Sequence, residues 1–196
     1  MWVVRARQQQ RRIAILARYL QGHDIEKHIE TLSQGYSRAL GESDPARSDQ
    51  VWHVLRGTEE LLCRQVGQLA EDFAGVEPTA TRVSTFPIWL PLSPALDRSF
   101  DMREALRLHA SGICGAIEEQ GASPKDRAYA ILAEMLLMQH TCHWYCRSKS
   151  VASARMLASH RTSHEQLVAG VGPQNREGNN ELVFIRFHWG PGPPHT

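Results

Sequence analysis

Apolar side chains recur every three or four residues along most of this chain, and that rhythm leaves room for little besides packed helices. The clearest run is Val51, Leu55, Thr58, Leu62, Val66, Leu69 and Phe73. It marks one face of a helix from about residue 49 to 73 and calls for a partner helix to cover it. His53 and Arg56 fall on the opposite, polar face. Upstream, Ile13, Leu16, Leu20, Ile25, Ile29, Leu32, Tyr36 and Leu40 predict helix from about Gln8 to Leu40, interrupted at Gly22-His23-Asp24. Asp24 is the expected N-cap of the second half, and Pro45 suits a first helical position.

Two more helices follow. Met102, Leu106, His109, Ile113 and Ala116 share a face between about Phe100 and Gln120, with Asp101 and Glu104 as a capping signal. Ser123, Pro124 and Asp126 make the sharpest helix start in the chain, and the pattern after them runs to at least Arg147. A break is expected in the serine-rich Ser148–Ser153, because serine hydroxyls compete for backbone bonds. The expected fold is therefore all-α: a bundle of four main helices, with a proline-rich crossover between Val76 and Ser99 and an irregular tail. One helical-bundle domain covers 1–170. The tail, 171–196, holds a short strand signal at 181–187 and ends in a Gly/Pro-rich run expected to be disordered.

A chain of 196 residues with 42% hydrophobic and 22% charged residues can bury a real core, and its net charge of +1 exerts no general pull on nucleic acid. No stretch approaches 18 apolar residues; the longest, Ala128–Met138, is interrupted by Glu134. The four cysteines lie in helical stretches without the pattern of a secreted disulfide framework. The opening Met-Trp-Val-Val is too short for a signal h-region. The expectation is a cytoplasmic protein with reduced thiols, bound to neither membrane nor nucleic acid.

No Gly-x-Ser-x-Gly, Walker loop or Gly-x-Gly-x-x-Gly is present, so nucleophilic and nucleotide chemistry find no footing and the reading leans away from an enzyme. Chemistry concentrates instead in two sets. His109, His140, His160 and His164 all sit on apolar stripes, where imidazoles from several helices can meet at a zinc or iron ion. His160 and His164, four apart, have the spacing of helical metal ligands. The second set lies in His140-Thr-Cys-His-Trp-Tyr-Cys146. Cys142, His143 and Cys146 fall within about a 100° arc of one helix and could take a thiophilic ion, with Cys63 or Cys114 as a fourth ligand. The competing reading is that these histidines and thiols are ordinary interior groups, and that no cofactor is required.

The stretch His160-Arg-Thr-Ser-His164-Glu-Gln-Leu resembles the last-helix motif of the DinB-like four-helix metal proteins. The resemblance covers under a tenth of the chain. It implies a bundle with three histidines around a divalent metal, for which the second-helix candidate is His53.

The leading expectation is a non-enzymatic regulator that binds another protein or a second copy of itself as a homodimer. Trp89, Leu90 and Pro91 in the crossover, and Val183 and Ile185 in the strand segment, are the expected contact residues. Small residues at Ala152, Ala154 and Ala158 offer a further packing surface. The alternative is a metal-dependent helical enzyme or sensor built on the core histidines.

Overall fold

The computed structural model describes residues 2–84, 99–173 and 176–178. Trp89, Leu90, Pro91, Val183 and Ile185, and with them the strand segment 181–187, lie outside the described residues.

The described residues are helical but for one short ribbon. Its elements run α1 (Trp2–Leu20), α2 (Ile25–Gly41), α3 (Pro45–Phe73), α4 (Pro78–Thr81), β1 (Arg82–Ser84), β2 (Ser99–Asp101), α5 (Met102–Glu118), α6 (Pro124–Cys146), α7 (Lys149–His160) and α8 (His164–Gly170). Several boundaries follow from local chemistry. Asp44 accepts a bond from the Ala46 amide with Pro45 in the first turn, and Ser123 accepts one from the Asp126 amide ahead of Pro124. The serine-rich stretch does break the helix, with Ser148 capping α7 through the Val151 amide. Asp24 differs from expectation. Its carboxylate caps nothing, and its backbone N–H instead donates to Gln65 Oε1 on α3 at 2.8 Å.

The described flanks of the crossover hold regular elements. β1 and β2 pair antiparallel, with Val83 opposite Phe100, and this ribbon brackets residues 85–98. Both apolar members face inward and are buried.

In the interior, α3 packs on α2 and α5, and α6 packs on α5, α7 and α8. Leu32, Tyr36, Leu62, Phe73, Met102, Ile113, Ile131 and Tyr145 are fully buried in the main cluster. A smaller cluster of Ala133, Leu137, Met156, Leu167 and Val171 fastens α7 and α8 to α6. The predicted stripe of α3 faces these cores, while His53 and Arg56 are exposed. α2 and α3 approach closely at Gly35, where an added Cβ would run into the Leu55 side chain. Tyr36 OH donates to Glu59 Oε1 at 2.8 Å, and Arg127 Nε lies 3.9 Å from Glu59 Oε2, so α2, α3 and α6 share one buried polar cluster. Among the described residues, no helix is long and apolar enough to cross a membrane.

Cys63 on α3 and Cys114 on α5 are joined in a disulfide, their Cα atoms 5.0 Å apart. This corrects the expectation of four reduced thiols. It also removes both residues as a fourth metal ligand, since each sulfur is committed to the other. Two facing helix stripes bring the cysteines together, a proximity that spacing along the chain does not reveal.

Candidate functional site

His109 and His140 are the centre of chemical interest, because both are fully buried and both lie beside α8 or its neighbours. His109, on α5, places Nε2 2.9 Å from Thr141 Oγ1, and that hydroxyl is bonded to the Leu137 carbonyl at 3.0 Å. His140, one residue before Thr141 on α6, places Nε2 3.1 Å from Ser153 Oγ on α7. The Nδ1 atoms of both rings are buried and have no hydrogen-bond partner. His164, the first residue of α8, brings its ring to 4.6 Å from that of His140, centre to centre. Trp144 closes another side, its indole edge-on to His140 at 6.2 Å, with the Lys149 ammonium 5.3 Å over its face.

Burial decides the charge state. It holds His109 down at about 4 and His140 down at about 3, with the nearby His164 lowering both further and Lys149, His143 and His109 adding to the effect on His140. His164 is lowered too, by burial and then by Lys149, against the opposing pull of Glu165. Near neutral pH the buried rings are therefore uncharged imidazoles, which is the form that can donate a lone pair.

His160 is not part of this group. Arg161 takes a left-handed conformation, φ 52°, and ends α7, while Ser163 and Gln166 form a capping box that starts α8. The four-residue spacing therefore straddles two helices rather than one face, and His160 is exposed. The ligand set implied by the DinB-like resemblance fails for the same reason. His53 and His160 both face solvent, and neither is buried beside His164 as the pattern requires.

The cysteine-rich motif also divides. Cys142 and Cys146 pack against the main apolar cluster, whereas His140 turns toward α7 and α8. Burial first, then Cys146 and Glu26, pushes the Cys142 thiol up to about 12, and burial raises Cys146 as well. Both thiols stay protonated near neutral pH, the wrong state for a nucleophile or an anionic ligand. His143 is half-buried, lowered by burial and by Arg155 while Glu26 raises it. Among the described residues, no three His, Cys, Asp or Glu side chains already meet at ligating distance around one point.

Sequence reasoning flagged the buried histidines but not the hydroxyls of Thr141 and Ser153 that orient them. Nor did it foresee the Tyr36–Glu59–Arg127 cluster or the Arg12 guanidinium lying 5.5 Å over the Tyr145 ring. Glu59 sits at the stripe position between Leu55 and Leu62, and an acid there is the signal that could have been read. No protein-family profile, curated protein or solved structure matches the chain.

Proposed function

We propose that this chain is a non-catalytic binding module, a bundle whose four main helices are α2, α3, α5 and α6. On this reading it recognises another protein, or a second copy of itself, through the outward face of α7. One observation carries it. Only Ala152 and Met156 of α7 are buried, leaving Val151 43% and Leu157 59% exposed beside the small residues Ala154 and Ala158. Positions 151, 154 and 158 lie on one side of the helix with 157 adjacent, so a low ridge is flanked by two large apolar groups. Small residues admit a close helix partner, and covering Val and Leu contributes about 1.5–3 kcal/mol each. The Cys63–Cys114 bond favours an oxidising setting over the cytoplasm, where thiols are kept reduced.

The test is Leu157→Glu in the full chain. Surface substitutions of this kind shift stability by only about 0.5 kcal/mol, so loss of association would report docking rather than unfolding. Light scattering should show a dimer, or capture should retrieve a defined heteromeric partner, in wild type and not in the variant. A chain that stays monomeric at about 100 μM and captures no partner sinks the proposal.

A further inference from the structure

No carboxylate precedes Asp24 in this chain, yet Arg5, Arg7, Arg11, Arg12 and Arg18 do. The net charge of +1, taken over the whole chain, conceals that imbalance. The fold sorts the arginines of α1 by face. At 100° per residue, Arg7, Arg11 and Arg18 fall within about a 40° arc with Ala14 beside them, and all four are exposed. Leu16 and Leu20 lie on the opposite side, against the main apolar cluster. Arg12 is turned inward and has partners: its guanidinium lies over the Tyr145 ring and donates to the Arg82 carbonyl. The outward three have none, since among the described residues neither Arg7, Arg11 nor Arg18 is in an ion pair.

The helix that carries this ridge is fixed in place. Leu16 is buried, Tyr19 packs edge-on to Phe73 at 5.3 Å, and Gln9 Nε2 donates to the Arg147 carbonyl at 3.3 Å. That last bond sets another exposed arginine, Arg147, at the edge of α1. Carboxylates on the neighbouring elements are engaged elsewhere, Asp72 with His23 and Asp101 with Arg103. We infer that the outward face of α1 docks the phosphate backbone of a nucleic-acid duplex. Four features favour that occupant. The cations are all arginine, whose planar fork suits phosphate oxygens. They stand in a row, Arg7 and Arg11 about 6 Å apart along the axis and Arg18 about 10 Å further, as a repeating polyanion requires. A membrane is disfavoured, because the apolar face that a surface helix would sink into lipid is already spent on the bundle. A single strand is disfavoured too, because the ridge from Arg7 to Arg18 presents no ring on which bases could stack. Exposed Gln8 flanks the ridge on one side and exposed Gln10 on the other, and their amides can bond phosphate or sugar oxygens without reading sequence. The inference goes beyond protein docking on α7 and uses a different surface.

The experiment titrates full-length, tag-free protein into a labelled DNA duplex of about 20 mixed-sequence base pairs, reading anisotropy as salt is varied. Three phosphate contacts predict a log–log salt slope of about −3, so affinity should fall about 60-fold between 50 and 200 mM salt. The triple variant Arg7→Gln, Arg11→Gln, Arg18→Gln should bind at least tenfold more weakly and lose most of the slope, with its far-UV spectrum and thermal midpoint those of wild type. Arg38→Gln, Arg56→Gln, Arg64→Gln makes the same change of charge on exposed positions of α2 and α3, and should bind as wild type does. No binding by wild type at about 50 μM protein in 50 mM salt overturns the inference. An equal loss in both triple variants also overturns it, as does binding to phosphatidylserine vesicles as tight as binding to the duplex.

Discussion

The two ends of α6 bury polar groups under opposite rules. Near its start, Arg127 meets Glu59, which also accepts from the Tyr36 hydroxyl. Near its end, His140 and the neighbouring His109 are just as buried, yet each keeps a nitrogen that touches no partner. Taking a guanidinium or a carboxylate out of water is costly unless each meets a partner, so burial draws the two together. At 3.9 Å the Arg127–Glu59 contact is attraction between charges, not a hydrogen bond. An imidazole can shed its charge. Its burial then leaves a ring nitrogen without a partner instead of an ion pair. The first end is closed chemistry; the second is open.

The largest effect should come from breaking the closed end. Glu59→Gln keeps the shape and an acceptor for Tyr36 but leaves Arg127 buried without its counter-charge, at an expected cost of about 3–5 kcal/mol in urea denaturation. Adding Arg127→Met should recover part of that loss, and failure of the double variant to do so would mean the pair does not act as a unit.

The disulfide ties the two ends, since it links α3, which carries Glu59, to α5, which carries His109. It closes a separation of 51 residues, and reduction should lower stability by about 2–4 kcal/mol. Thiol titration of the denatured chain should count two reactive groups before reduction and four after it. Four at the outset would remove the link.

The open end should show itself through pH. His109 has a folded value of about 4 against an ordinary 6.5, so between these limits the unfolded chain binds the proton first. Its contribution is therefore complete above pH 6.5 and drains away as pH falls toward 4. Between pH 7.5 and 5 the chain should lose about 2 kcal/mol from this group. His109→Gln, which keeps a donor toward Thr141, should remove His109's share of that slope and leave the share of the similarly lowered His140, and an unchanged profile would refute a buried neutral ring.

Much of this contrast was legible in the sequence, for reasons that can be named. Proline at the first turn of α3 and α6, the Gly22 interruption and the serines at 148–153 are local instructions, read without knowing what packs where. The ribbon was not legible, because its strands are three residues each and too short for a period-two pattern. The Cys63–Cys114 bond depends on how two stripes meet, and no pattern along one helix encodes that. His160 misled for a subtler reason. An arginine in left-handed conformation ends α7, and the sequence offers no glycine to announce the stop. The burial of His109 and His140 could be read from their stripes. Their idle nitrogens could not, since those follow from where Thr141 and Ser153 sit in space.

Gly35 has a reach beyond its own contact. It immediately precedes Tyr36 on α2, and the Leu55 it touches lies one turn before Glu59 on α3. The gap that lets the phenol reach the carboxylate is thus gauged by a methyl group that is missing. A bulkier residue there would register less as crowding than as a detuned polar pair several ångströms away, making the smallest side chain in the interface the keeper of its most expensive charge.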